Sequence, residues 1–188
     1  MSRHIIIIGG LASGKTTLAK YLADYHGYKR IGTYTTRPIR PGEVEGEDYY
    51  FLNRKDFDAL VNTNFFFETT NYTTIDGVWS YGSSRYPNSL HNKTVVVLNP
   101  HGALLFKDPA LIVWLDLPLK VTMERALVRG DDPLEVARRV IADAHDFDLE
   151  EIVNVSNVRV RKIMELSRLA EYVNYASNTY PWNNKEIR

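Results

Sequence analysis

Residues 4–27 read HIIIIGGLASGKTTLAKYLADYHG, and the fold turns on how they are read. Ile5 to Ile8 form an unbroken apolar run, the pattern of a strand buried on both faces of a parallel sheet. The run stops at Gly9 and Gly10. After Lys15 the period changes: Leu18, Tyr21, Leu22 and Tyr25 fall at helical spacing, and Gly27 suits the helix end. A buried strand, a glycine-rich turn and an amphipathic helix, in this order, open an α/β domain with right-handed crossovers.

Strand and helix signals keep alternating downstream. YKRIGTY (28–34) reads as a second short strand, RKDFDALV (54–61) as a short helix and NFFFETT (64–70) as a strand. Asp76-Gly77 lies between β-prone residues and signals a hairpin. KTVVVLNP (93–100) and ALIVWLDL (110–117) restore buried strands. LKVTMERALVRG (119–130) and PLEVARRVIADAHDFD (133–148) read as helices, the second capped by Asp132 with Pro133 at its first position. EIVNVS (151–156) reads as a short last strand, and VRVRKIMELSRLAEYVNY (158–175) as a closing helix. Active groups are expected at the carboxyl ends of the parallel strands.

The 188 residues suit one domain with small inserted lobes. Lys plus Arg and Asp plus Glu both number 23, so no global charge points to nucleic acid or to an anionic membrane surface. The chain has no cysteine, which removes disulfide and thiolate chemistry and agrees with a cytoplasmic setting. No apolar run approaches membrane-spanning length.

Gly9 to Thr16, GGLASGKT, fits the phosphate-loop pattern G-x-x-x-x-G-K-[ST]. Glycines let backbone N–H groups wrap a polyphosphate, and the helix beginning near Lys15 turns its positive end toward it. Lys15 is placed to reach the β- and γ-phosphates, and the Thr16 hydroxyl to ligate Mg2+. The strand before the motif and the helix after it supply the context that a chance match lacks.

A second stretch, YTTRPIRPGEVEGEDYY (34–50), has no helical period and no strict alternation. Its arginines, Arg37 and Arg40, stand three apart on a proline-stiffened loop, where two guanidinium forks can converge on one phosphate. Taken singly, these arginines would more often be a solvated pair or a salt bridge to Glu43 or Glu45. Glu68 alone would be a surface carboxylate, and Tyr49 and Tyr81 half-buried packing.

With Pro38 one place early, TTRPIRPGEVEGEDYYF resembles the guanylate kinase pattern T-T-R-x-P-R-x-G-E-x-x-G-x-D-Y-x-F. The phosphate loop, FFFE, YGSS and ERALVRG…RRV extend the resemblance over about residues 3–155. It implies a P-loop three-layer α/β fold with a central parallel sheet, a small mixed β/α insert that binds the nucleoside monophosphate, and a helical lid. One kinase domain is then expected over 1–188, with a core of 1–33 and 84–188, an insert of about 34–83 and a lid of about 129–145. The implied partners are ATP with Mg2+ and GMP or dGMP, with no nucleic acid or membrane.

Roles follow position by position from the resemblance. Gly9, Ala12, Ser13, Gly14, Lys15, Thr16, Thr17 and Asn154 fall to ATP, and Thr16 also to the metal. Arg37, Arg40, Tyr49 and Tyr81 fall to the acceptor phosphate, and Thr33, Glu68, Ser83 and Asn99 to the rest of GMP. Lys15, Arg37, Arg125, Arg129 and Arg139 are the expected catalytic groups, with Arg138 an equal competitor for the place of Arg139. One carboxylate can accept both N1–H and the 2-amino group of guanine, and adenine would leave it badly paired.

Departures from the pattern concentrate at the base end. Val97 and Asn99 replace two family acids, Ala12 replaces a loop glycine, and the span from Glu68 to Tyr81 is longer by the Thr74–Gly77 hairpin. These leave two other readings: a kinase with an altered nucleotide acceptor, and an inactive binding module on the same fold.

Overall fold

The computed structural model describes residues 3–40, 42–85, 93–148, 150–179 and 185–187. In chain order they form β1 (Arg3–Gly9), α1 (Lys15–His26), β2 (Lys29–Arg30), β3 (Thr33–Thr35), β4 (Tyr50–Phe51), α2 (Arg54–Asn62), β5 (Phe66–Thr74) and β6 (Gly77–Ser84). Then come β7 (Lys93–Val97), α3 (Pro100–Leu105), β8 (Ala110–Leu115), α4 (Leu119–Val128), α5 (Pro133–Asp146), α6 (Glu150–Val155), β9 (Val158–Val160), α7 (Leu166–Asn178) and β10 (Lys185–Ile187). They divide into two compact units, Met1–Arg30 with His91–Arg188, and Ile31–Leu90.

The first unit holds a six-stranded sheet in the order β10-β9-β8-β1-β7-β2, parallel throughout. The isoleucine run lies at its centre, and Ile5 to Ile8 are fully buried. Ile5 and Ile7 pack with Leu18 and Leu22 of α1 and Val173 of α7. Ile6 and Ile8 point to the opposite face, where α3 lies against β1 and α6. Each such side chain contributes roughly 1.5–3 kcal/mol by leaving water. The winding changes direction beside β1: β7 is inserted between β1 and β2, and β8 lies beyond β1. The carboxyl ends of β1 and β7 therefore flank a topological switch point, where ligands of such sheets bind.

Three expectations change. EIVNVS is not a strand: Glu150 and Glu151 occupy the first turn of α6, with Ile152 turned inward. Over so few residues, alternation and helical period cannot be told apart. The last predicted helix begins only at Leu166, because Val158 and Val160 are buried in β9 with Arg159 between them. YKRIGTY divides into β2, in the parallel sheet, and β3, in the other unit. The expected opening of α5 holds: the Asp132 side chain accepts from Leu134 N and Glu135 N.

The second unit is built on a four-stranded mixed sheet, β4-β3-β6-β5. β3 runs parallel to β4 and antiparallel to β6, which pairs with β5. The hairpin signal is realised with Ile75 and Asp76 as the loop, Thr74 and Gly77 forming the last pair. On one face Phe66 packs among Phe57, Phe65 and Tyr34. A Cβ on Gly82 would stand 2.9 Å from the Phe66 ring, which those neighbours hold in place. Gly82→Ala is expected to destabilise this unit by roughly 1–3 kcal/mol. Urea unfolding followed by amide exchange in β5 and β6 measures it, and unchanged protection would contradict the packing.

Candidate active site

The phosphate loop joins β1 to α1 at the switch point. Gly14 takes the left-handed conformation at the helix N-cap, φ 97°. Ala12 is left-handed too, φ 50°, at a position where a side chain costs about 1–2 kcal/mol. Lys15 Nζ donates to the carbonyls of Gly9 and Gly10, 2.7 Å each. Burial lowers the Lys15 pKa, Asp143 opposes this, Arg139 and Arg129 lower it further, and the outcome is about 8. Ser13 is buried, and its hydroxyl has no hydrogen-bond partner. Thr16 and the exposed Thr17 lie in the first turn of α1, whose leading N–H groups have no partner within the helix.

α4 and α5 brace this loop. Leu11 is buried against Ala126 of α4 and Val136 of α5, with Ala12 and Met123 beside them. Asp143 of α5 accepts the Leu11 N–H at 2.6 Å. Burial pushes the Asp143 carboxyl up, while the Leu11 bond, Lys15 and Arg139 pull it down; the net direction is up. Arg139 stands one turn before Asp143 on the same face of α5, and its charge reaches Lys15. Arg138 is bound instead to Glu135, 2.8 Å through both Nε and Nη2. Helix phase thus puts Arg139 on the face of α5 that carries Asp143 and pairs Arg138 with Glu135. Arg129 caps α4, its Nε 3.0 Å from Asp131. Arg125 is exposed in the last turn of α4.

Two further residues expected at the nucleotides lie on α6 and at the start of α3. Asn154 is exposed on α6, at the amino end of β9, whereas the phosphate loop leaves the carboxyl end of β1. Asn99 belongs to the first unit, and its side chain caps α3 by accepting from Gly102 N at 2.6 Å. Asn99-Pro100 opens this helix with a capping side chain and a proline in its first turn.

In the second unit the cross-strand register orders the side chains. Thr33 of β3 pairs with Ser83 of β6, and Ser83 with Glu68 of β5. One rung on, Thr35 pairs with Tyr81 and Tyr81 with Thr70. Both rungs share a face, since side chains two apart on a strand point the same way. Ser83 donates to Glu68 Oε1 at 2.5 Å, and Thr70 lies 3.4 Å from Oε2. Tyr81 meets Tyr49 edge to face at 6.0 Å, and the Arg37 guanidinium lies 5.2 Å from the centre of the Tyr49 ring.

Arg37 is 6% exposed and is clasped by Glu43, Nη1 and Nη2 each 2.7 Å from one carboxylate oxygen. Glu43 also accepts the Arg40 N–H at 2.8 Å, so it ties both arginine positions together. Arg37 Nε is buried with no hydrogen-bond partner. Glu45 accepts the Phe51 N–H, and Asp48 the Val44 N–H. The acids of the charged stretch thus fold the loop, with Arg37 centred in it. Of the residues that matter here, sequence reasoning missed Asp143 and Thr70. The only available signal for Asp143 was its spacing of four from Arg139.

A phosphate loop on a parallel sheet, together with a sheet face carrying guanidinium, phenols and carboxylate, defines the class of P-loop nucleoside monophosphate kinases. The profile of the Guanylate kinase family matches residues 1–85. Guanylate kinase of Thermus thermophilus is 35% identical over 162 residues, 78% of this chain and 71% of that protein. Guanylate kinase of Gloeobacter violaceus is 32% identical over 155 residues, 78% of this chain and 74% of that protein. The crystal structure of guanylate kinase from Anaplasma phagocytophilum shares the fold, with a TM-score of 0.64, 22% identity and coverage of 94% of this chain and 86% of that one. The chain belongs to the guanylate kinase family.

The Arg37–Glu43 clasp has a pH signature. Burial raises the Glu43 pKa, but the bonds from Arg37 and from the Arg40 N–H outweigh it and leave the pKa below the ordinary 4.5. A depressed carboxylate stabilises fully above its unfolded value and loses that contribution as pH falls through the folded one. Glu43→Gln should therefore lower the melting temperature by several degrees at neutral pH. The gap to the unaltered protein should close in acid, and a gap that stays constant down to about pH 3 contradicts the clasp.

Proposed function

We propose that the protein transfers the γ-phosphate of ATP to GMP or dGMP, giving ADP and the corresponding diphosphate. The observation that carries this reading is the order of groups on one face of the second sheet: Arg37, then Tyr49 and Tyr81, then Glu68 held by Ser83. That order suits a monophosphate at one end and a guanine edge at the other. Arg37 Nε, buried without a partner, is a donor that a phosphate oxygen would satisfy. Arg40 and the two phenols complete the phosphate contacts, and Thr33 joins Ser83 and Glu68 at the base.

On the donor side, Lys15 and the first N–H groups of α1 hold the β- and γ-phosphates, with Gly9, Ala12, Ser13 and Gly14 shaping the loop. Thr16 suits a magnesium ion: its hydroxyl lies in the first helical turn, and phosphate oxygens and water commonly supply this ion's other ligands. When bound, the ion neutralises charge on the transferring phosphate. Arg129 and Arg139, already grouped with Lys15, add to that neutralisation, with Arg125 one turn before Arg129. The acceptor oxygen is ionised near neutral pH, so no general base is required, and rate comes from positioning and charge. Residues about 129–145 act as the lid that excludes water from the donor phosphates. The setting for this reaction is the cytoplasm.

The longer β5–β6 hairpin adds a Tyr72–Trp79 pair to the acceptor face and favours a second reading, a shifted acceptor range. One experiment addresses both. In a coupled ADP-release assay over ribo- and deoxynucleoside monophosphates, a guanine monophosphate should turn over fastest. Equal or faster turnover of AMP, CMP or dTMP overturns the guanine assignment. Lys15→Ala should lose roughly 100-fold or more in kcat. Glu68→Gln should lose roughly 10–100-fold in kcat/KM for the guanine acceptor, since its amide repels one of the two donors. A protein that binds neither Mg·ATP nor GMP in calorimetry would instead be an inactive module.

A further inference from the structure

Several features of the phosphate loop converge on Asp143, a residue that no role in phosphoryl transfer requires. Its carboxylate accepts the Leu11 N–H at 2.6 Å, inside the loop that cradles the donor phosphates. Lys15 and Arg139 are the cations that act on it most strongly, and both belong to the donor site. The chain makes room for this contact: a Cβ on Gly10 would stand 2.9 Å from Asp143 Oδ2. Gly10 does not have the positive φ of Gly9 or Gly14, so the backbone does not require glycine there; a Cβ would meet the end of the Asp143 side chain and make it shift. Lys15 meanwhile is folded back onto the Gly9 and Gly10 carbonyls.

We propose that Asp143 is the internal counter-ion of the phosphate cradle, a fixed anion that competes with the donor's polyphosphate for Lys15, Arg139 and the loop. Without a donor it balances the cations gathered by α1 and α5. When a polyphosphate enters, the same cations turn to the stronger anion, and the carboxylate becomes a like charge that weakens donor binding. Asp143 is thus a determinant of donor affinity and not a ligand of the donor. The proposal rests on reading Gly9–Thr16 as the donor site.

Calorimetric titration with magnesium tripolyphosphate tests it on the full chain, using Asp143→Asn and Asp143→Ala. Asn keeps an acceptor for the Leu11 N–H and removes the charge; Ala removes both. Asp143→Asn should bind the polyphosphate about tenfold more tightly than the unaltered protein, with the gain shrinking as salt rises. Asp143→Ala should also bind more tightly. If Asn binds equally or more weakly while the unaltered protein binds well, Asp143 is only a brace for the loop and the proposal falls. If the unaltered protein binds no polyphosphate, the donor-site reading fails first and takes the proposal with it. Should the Ala variant fail to fold, the Asn variant decides alone.

Discussion

A site that binds an anion is a concentration of positive charge, and a folded chain must hold that charge in place before any ligand arrives. This constraint shapes both halves of the molecule. In the parallel-sheet unit, Lys15, Arg129 and Arg139 are gathered at one loop, and Asp131 and Asp143 are interleaved with them. In the second unit Arg37 is almost wholly buried, and Glu43 takes both of its terminal nitrogens. A buried ammonium without such a partner would be driven toward neutrality, and a buried guanidinium outward to water. The carboxylates are therefore as much a part of these sites as the cations that a substrate would meet.

The two solutions differ in where the carboxylate comes from. Glu43 is six residues from Arg37 on the same loop, so the clasp and the loop's path are one structure. Asp143 reaches the phosphate loop from 132 residues away, carried by a helix that also carries Arg139. That helix packs Val136 against Leu11, so apolar contact and the charge-assisted bond act on one short segment. Movement of α5 and the conformation of Gly9–Gly14 are therefore coupled by ordinary packing, within one unit.

What the sequence disclosed follows the range of the forces involved. Ile5–Ile8, GGLASGKT and the Asp132-Pro133 cap are local signals, and each forms as read. EIVNVS failed because six residues contain less than two helical turns and cannot display a period. The Asn99 cap is itself a short-range feature, with a bond that spans only three residues. Asp143 was illegible because its bond depends on the phase of α5 against a loop 132 residues away. Glu43 was visible as one salt-bridge partner among two, and only the loop's fold selects it over Glu45, which caps Phe51 instead.

The Glu68 end of this sheet face rests on strand register more than on any single residue. Glu68 is oriented by Ser83 from the neighbouring strand and lies beside Thr70 on its own, and Thr33 completes the rung from a third strand. A slip of one residue between β5 and β6 would turn Glu68 to the other face of the sheet and leave Ser83 opposite a threonine. The irregularity between Phe66 and Glu68 is where the pairing absorbs one such offset. It lets Phe66 fill the core against Gly82 while Glu68, two residues on, stands on the opposite face beside Ser83. Extension of the hairpin through Tyr72–Trp79 to Thr74–Gly77 adds pairs that favour this register over its neighbours. The added length therefore does more than enlarge the face: it holds the Glu68 carboxylate on the side of the sheet where Arg37, Tyr49 and Tyr81 are found.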